Sequence, residues 1–232
     1  MVHLKDIRDA CLHLLFPHLC EGCGNDLLNP GAFLCLRCLE SLPATRFEIY
    51  AGNPVEKRFY GRLPVEQAAA LYYFTKDSLV AKLVHLVKYK GHQKLGIQLG
   101  RMMGDALLQS GRFPVDALVA LPIFPAREKK RGYNQSALLC EGMAEYLNLP
   151  ILEDVISRPH QTETQTKKGR IARWKNIEGK FILTDPPVIS GKHILLVDDV
   201  ITTGATLESC GAELLKAPGC SLSIACLCHA FN

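Results

Sequence analysis

Residues 193–206 read HILLVDDVITTGAT, and the fold turns on how that stretch divides. Its first part is an unbroken apolar run too short for an ordinary helix, which predicts a strand over 193–198 buried on both faces. Two carboxylates, Asp198 and Asp199, close it. A turn bearing hydroxyls and glycine follows through Val200, Ile201, Thr202, Thr203 and Gly204, and Ala205 and Thr206 open a helix expected over 205–216. The backbone N–H groups of 202–206, the threonine hydroxyls and the helix amino terminus together form a cradle for a phosphate dianion. Gly204 lets the backbone approach the ligand closely. Asp198 and Asp199 would repel that phosphate, but they can accept hydrogen bonds from a ribose 2′,3′-diol or help to hold magnesium. A phosphate beside a diol describes a ribose 5-phosphate. Helix capping alone requires one such side chain, not two carboxylates and the whole loop.

Outward from this strand the same alternation continues. Strands are expected over 65–74, 117–121, 155–157 and 221–228, and helices over 78–89, about 95–110 and 135–147. Short apolar strands alternating with amphipathic helices predict an α/β fold, a mostly parallel sheet flanked by helices on both faces. Ligands of such sheets sit beyond the carboxyl ends of the strands. Neither a GxxxxGK[ST] loop nor a GxGxxG fingerprint occurs, so ATPase and dinucleotide-binding readings lose their main support. Tyr72, Tyr73 and Phe74 read as strand core. Residues 41–63 are broken by Pro43, Gly52, Pro54 and Gly61 and lack periodicity, which predicts a connection. The expected division is therefore 1–42, a linker over 43–63, and 64–232.

Two polar stretches lie just after expected strands. IFPAREKKRGYNQSALL (123–139) offers Arg127 and Arg131, whose guanidinium forks suit phosphate, while Gly132 and Asn134 serve equally as a turn and a helix cap. RPHQTETQTKKGRIARWKNIEGKF (158–181) has almost no apolar periodicity and reads as a lid or a disordered segment. As a lid it would bring Arg158, Lys167, Lys168, Arg170 or Arg173 over a pyrophosphate. Trp174 suits docking of the loop better than stacking on a base.

The chain has 232 residues, of which 48% are hydrophobic and 22% charged, enough to bury a sizeable core. Its net charge of +4 conceals runs of +4 over 82–94, +3 over 127–131 and +5 over 167–180, which leave −8 elsewhere. Such concentration favours phosphates on a small ligand or a nucleic acid, against the plain alternative of a solvated face. The longest nearly apolar stretch, 117–126, is far short of the roughly 18–20 residues of a membrane span, so no membrane insertion is expected. Asp6 and Asp9 stand where a secretory signal would be apolar, so a cytoplasmic location is expected.

Ten cysteines without an export signal suggest metal ligands and core residues before disulfides. Cys20, Cys23, Cys35 and Cys38 form a C-x2-C-x11-C-x2-C array in which Gly22, Gly24 and Gly31 supply turns. Four thiolates would fill a tetrahedral zinc and leave no open position, so Zn2+ is expected to be structural. The other cysteines lack paired spacing and read as core. A short helix carrying Leu4, Ile7, Cys11, Leu14 and Leu15 is expected to precede the array and stop at Pro17.

The loop 193–206 is similar to the PRPP-binding motif of the type I phosphoribosyltransferases: hydrophobic residues, Asp-Asp, then Val-Ile-Thr-Thr-Gly-Ala-Thr. With LLFPHLCEGC, CLRC, LVKYKGHQKLG, LPIFPAREKKRGYNQ, RPHQTETQ and RWKNIEGKF, nearly the whole chain resembles the ComF competence-protein family, which is amidophosphoribosyltransferase-like. The resemblance implies a type I phosphoribosyltransferase domain behind a zinc ribbon. It also implies PRPP with Mg2+ at residues 198–206, pyrophosphate at Arg127, Arg131, Arg158 and Arg173, and a role in handling DNA taken up by transformable bacteria. Single-stranded DNA and a DNA-uptake helicase are the partners that context suggests. Two functional classes follow. One is a phosphoribosyl transferase with an unknown acceptor, lacking the glutaminase module and amino-terminal cysteine of an amidotransferase. The other is a single-stranded-DNA-binding or adaptor protein that retains a non-catalytic PRPP pocket. Steep salt dependence of binding would mark the second.

Overall fold

The computed structural model describes residues 18–26, 31–159 and 181–230. The expected N-terminal helix, Arg173, Trp174 and most of the basic loop lie outside the described residues. In chain order, α1 (Leu36–Glu40) and α2 (Pro54–Lys57) precede β1 (Ala68–Phe74), α3 (Leu79–Tyr89), α4 (Gln93–Ser110), β2 (Ala117–Ala120), α5 (Pro125–Arg131) and α6 (Gln135–Leu147). There follow β3 (Ile156–Ser157), β4 (Ile182–Leu183), α7 (Pro186–Ile189), β5 (His193–Ile201), α8 (Ala205–Leu214) and β6 (Ser221–Ala230). Ser78 caps α3 by accepting from the Ala81 N–H, and Asn134 caps α6 by accepting from the Ser136 N–H, as their short polar side chains allow.

The main sheet has the order β1-β6-β5-β2, with every pairing parallel. Beyond β2 the chain at 150–152 adds a bridge, Leu118 to Ile151, also parallel. The apolar run of 193–206 thus becomes an inner strand: Ile194, Leu195, Leu196 and Val197 are fully buried, as a doubly covered parallel strand requires. The expected strand at 155–157 does not join this sheet. It forms β3 and pairs antiparallel with β4 in a separate two-stranded stem.

The stretch read as a connection over 43–63 places Phe47, Val55, Phe59 and Leu63 in the main core, because isolated turns can bury side chains without any periodicity. Asn53 fixes it there: its amide donates to Ala68 O at 2.8 Å and Phe47 O at 3.0 Å, and its oxygen caps α2. The residues after β2 form α5, with Pro125 at its first turn and Gly132 (φ +84°) closing it.

Helices α4 and α6 meet backbone to backbone. A Cβ at Gly100 would stand 2.2 Å from the Leu139 carbonyl oxygen, and one at Gly142 only 2.0 Å from that of Ile97. This contact sets the height of α6, and so carries Asn134, Gln135 and Ser136 to the carboxyl end of β5. Cys140, Cys210, Cys226 and Cys228 are buried, as expected for core cysteines, and burial pushes their thiols up, away from reactivity. Among the described residues, no helix is long and apolar enough to cross a membrane.

Candidate functional site

Strand β5 does not stop at the carboxylates but runs through them to Ile201. Alternation along a strand therefore sends Asp198 and Asp199 to opposite faces. Asp198 Oδ1 accepts from the Asp199 N–H at 2.8 Å and from the Ser136 hydroxyl at 3.1 Å. Burial, then the neighbouring Asp199 charge, pushes the Asp198 carboxyl up to about 7, against the weaker opposing pull of those hydrogen bonds and of Lys88. Asp199 lies on the α3 side, where Oδ2 stands 2.8 Å from Lys88 Nζ. The two carboxylates read from the sequence as a matched pair thus have different surroundings, one near neutrality and one ion-paired.

Beyond Ile201 the chain turns outward. Thr202, Thr203 and Thr206 are exposed, and Gly204 adopts φ +80° as the N-cap residue of α8. The first N–H groups of α8 have no partners within the helix and face the same side as this turn, which is the geometry of an anion cradle. Thr203 Oγ1 accepts from the Ala205 N–H at 3.4 Å, and Gly204 O accepts from the Glu208 N–H at 2.8 Å. A Cβ at Gly204 would meet the Phe59 ring at 3.3 Å. Phe59, almost fully buried, therefore braces the turn from behind, while Arg62 pairs with Glu208 in the first turn of α8. Arg58, beside them, donates to His229 Nε2 at 2.8 Å at the carboxyl end of β6.

The arginines divide into two groups. Arg131 is engaged: its guanidinium donates to Gln135 Oε1 at 2.5 Å and lies over the Tyr89 ring at 5.3 Å. Arg158, at the root of the stem, lies 3.9 Å over the Phe124 ring and 5.1 Å from that of Phe181, and Arg127 lies 5.8 Å over Phe124. No described carboxylate pairs with Arg127 or Arg158. Burial, and then the charge of Arg127, lowers the pKa of Arg158, so these guanidiniums repel each other and would gain from a shared anion. A cleft of about 430 Å³ opens beside them, between the end of β2, α6 and residues 151–158. Arg173 lies outside the described residues.

Sequence reasoning missed Lys88, Ser136, Phe59 and Phe124. Lys88 was visible only as part of a basic run. Ser136 sits two residues past the Asn134 cap, and Phe59 lies in an aperiodic stretch, so no local pattern marks either.

The four thiols of the cysteine array lie within 4.8 Å of one another. Sulfurs on a tetrahedral zinc stand ~3.8 Å apart at a Zn–S bond of ~2.3 Å, so the set fits structural zinc. Cys20 and Cys38 are buried, and the Cys35 N–H donates to Cys20 Sγ at 3.2 Å. Burial raises the Cys20 thiol, but the N–H groups of Cys35, Cys23 and Gly22 outweigh it and hold the thiol at about 6, while burial pushes the Cys38 thiol up to about 12. This unit rests on α3: Lys82 donates to Gly22 O at 3.0 Å, His92 Nδ1 stands 3.2 Å from Glu21, and Leu79 packs on Cys20 and Cys38.

The Phosphoribosyl transferase domain family matches residues 134–230, which include Ser136, Asp198, Asp199 and the turn 202–206. Competence protein ComFC of Bacillus subtilis is 32% identical over 218 residues, covering 91% of this chain and 85% of the relative. DNA utilization protein YhgH of Salmonella typhimurium is 28% identical over 215 residues, covering 91% and 84%. Competence protein F of Haemophilus influenzae is 26% identical over 202 residues, covering 87% and 80%. Among solved structures, the glutamine PRPP amidotransferase of Bacillus subtilis complexed with ADP and GMP aligns at 20% identity and a TM-score of 0.38. That alignment covers 56% of this chain and spans a quarter of the amidotransferase.

Proposed function

The chain belongs to the ComF competence-protein family, and from that premise we propose that it binds PRPP with Mg2+ and transfers the phosphoribosyl group to an acceptor, releasing pyrophosphate. The observation that carries this reading is the turn 202–206, exposed at the amino end of α8 beyond the carboxyl end of an inner parallel strand. The 5-phosphate takes the N–H groups and hydroxyls of that turn, and the ribose diol lies against the carboxylates of β5. Arg127 and Arg158, which form no close ion pair among the described residues, supply charge for the pyrophosphate, with Asp198 the nearest opposing charge on Arg158. Bound Mg2+ would neutralise part of the pyrophosphate charge. In the reaction the acceptor's electron pair forms a bond to C1′ while the C1′–O bond to pyrophosphate breaks, and the guanidiniums stabilise the charge growing on the leaving group.

A cytoplasmic location, structural zinc at the cysteine array and a context in DNA uptake complete the proposal. The names of the relatives and the exposed lysines Lys82, Lys90, Lys94, Lys129 and Lys130 favour a second reading, a single-stranded-DNA-binding or adaptor protein with a retained pocket. Calorimetric titration with PRPP and Mg2+ separates the two. Magnesium-dependent binding that is lost in the Asp198→Asn/Asp199→Asn variant supports the sugar-phosphate site and justifies a screen of acceptors for pyrophosphate release. A folded, zinc-loaded wild type that does not bind PRPP sinks the transferase reading.

A further inference from the structure

The fold treats the lysines of the 82–94 run unequally. Lys82, Lys90 and Lys94 are exposed, whereas Lys88 turns inward from the last turn of α3 onto Asp199, the two side chains being 21% and 10% exposed. Stability alone is a weak reason for such a pair, since desolvating two charges offsets much of their attraction. Val84, Val87, Leu99, Leu139 and Leu227, together with Gln135, line the small, mostly apolar pocket that Asp199 enters. The backbone around Lys88 is also fastened on both sides. The Tyr133 hydroxyl donates to the Val87 carbonyl, and the Arg131 guanidinium lies over Tyr89, both reaching across from the segment that opens α6.

We infer that Lys88 is a positioning residue of the sugar-phosphate site: its half-buried ammonium holds the Asp199 carboxylate on the α3 side of β5 and leaves Asp198 as the carboxylate presented to the ligand. The inference rests on the ribose-phosphate reading of this pocket. Two unpaired carboxylates would repel a ligand bearing phosphates, and Lys88 cancels one of those charges from behind, without occupying the ligand's side. The groups that act on Asp198 are Asp199 from its own strand, Lys88 from α3 and Ser136 from α6. Arg158 from the stem, Cys210 from α8 and Cys226 from β6 complete its surroundings.

The test uses the full chain as wild type, Lys88→Met, Lys88→Gln and Lys88→Arg, with two readouts. Carbon-13 NMR follows the titration of the Asp198 carboxyl, and calorimetry follows PRPP with Mg2+. Removing the ammonium should move the Asp198 midpoint upward from about 7 and weaken PRPP binding at least tenfold, and Lys88→Arg should restore both. Lys88→Gln keeps a donor of similar reach and carries the test should Lys88→Met not fold. An unmoved Asp198 midpoint with unchanged PRPP affinity overturns the role of Lys88 and leaves the ribose-phosphate reading standing. Absence of PRPP binding in the wild type overturns that reading instead. In that case the NMR arm still decides whether Lys88 governs the carboxylate pair: a midpoint restored by Lys88→Arg supports it, and an unmoved one rejects it.

Discussion

Asp198→Asn should make the protein more stable at pH 8 and much less so at pH 5. The folded state holds the Asp198 carboxyl at about 7, against an ordinary value of 3.8. Between those values the folded chain keeps a proton that the unfolded chain has released, so stability falls as pH rises from about 4 to about 7 and is level above. Three pH units at about 1.36 kcal/mol each put the cost of the charged carboxylate on the order of 4 kcal/mol at pH 8, and on the order of 1–2 kcal/mol at pH 5. Asparagine removes the titration, and its amide oxygen still accepts from Ser136 and from the Asp199 N–H. For a chain of this size about 2–4 °C accompanies each kcal/mol. Asp198→Asn should therefore raise Tm by roughly 8–16 °C at pH 8 and by only about 3–6 °C at pH 5. Circular-dichroism melts of both proteins at the two pH values measure the difference. A gain that is the same at both, or a variant less stable at pH 8, would refute the claim that burial and Asp199 raise this carboxyl.

Two further outcomes test the frame around the site. Gly142→Ala would set a Cβ 2.0 Å from the Ile97 carbonyl oxygen, where contacts below 3.0 Å do not occur, so α4 and α6 must part by about 1 Å. The expected cost is about 1–3 kcal/mol, read as a fall in denaturation midpoint, and PRPP affinity should drop with it because Ser136 moves with α6; a wild-type midpoint would contradict the backbone contact. Cys35→Ser should lower zinc content from one equivalent to none by elemental analysis and speed hydrogen exchange at the first turn of α3, on which the cysteine unit rests. PRPP binding should be weakened without being abolished, and full zinc retention would mean that the array does not hold the metal.

Some of this molecule is set by local sequence. The strand over 193–198 follows from its apolar run, the start of α6 from Asn134, the turn 202–206 from Gly204 beside its threonines, and the zinc-like knuckle from the spacing of four cysteines. Each is a pattern of neighbours, and neighbours are what a sequence displays. The division of labour between Asp198 and Asp199 is different in kind. It arises because β5 continues past them, so that one meets Ser136 of α6 and the other Lys88 of α3, partners 62 and 111 residues away. The same holds for Phe59 behind Gly204 and for the stacking of Arg158 on Phe124. None of these has a local signature, because the low dielectric, the excluded water and the opposing charge that define them exist only once distant segments have packed together.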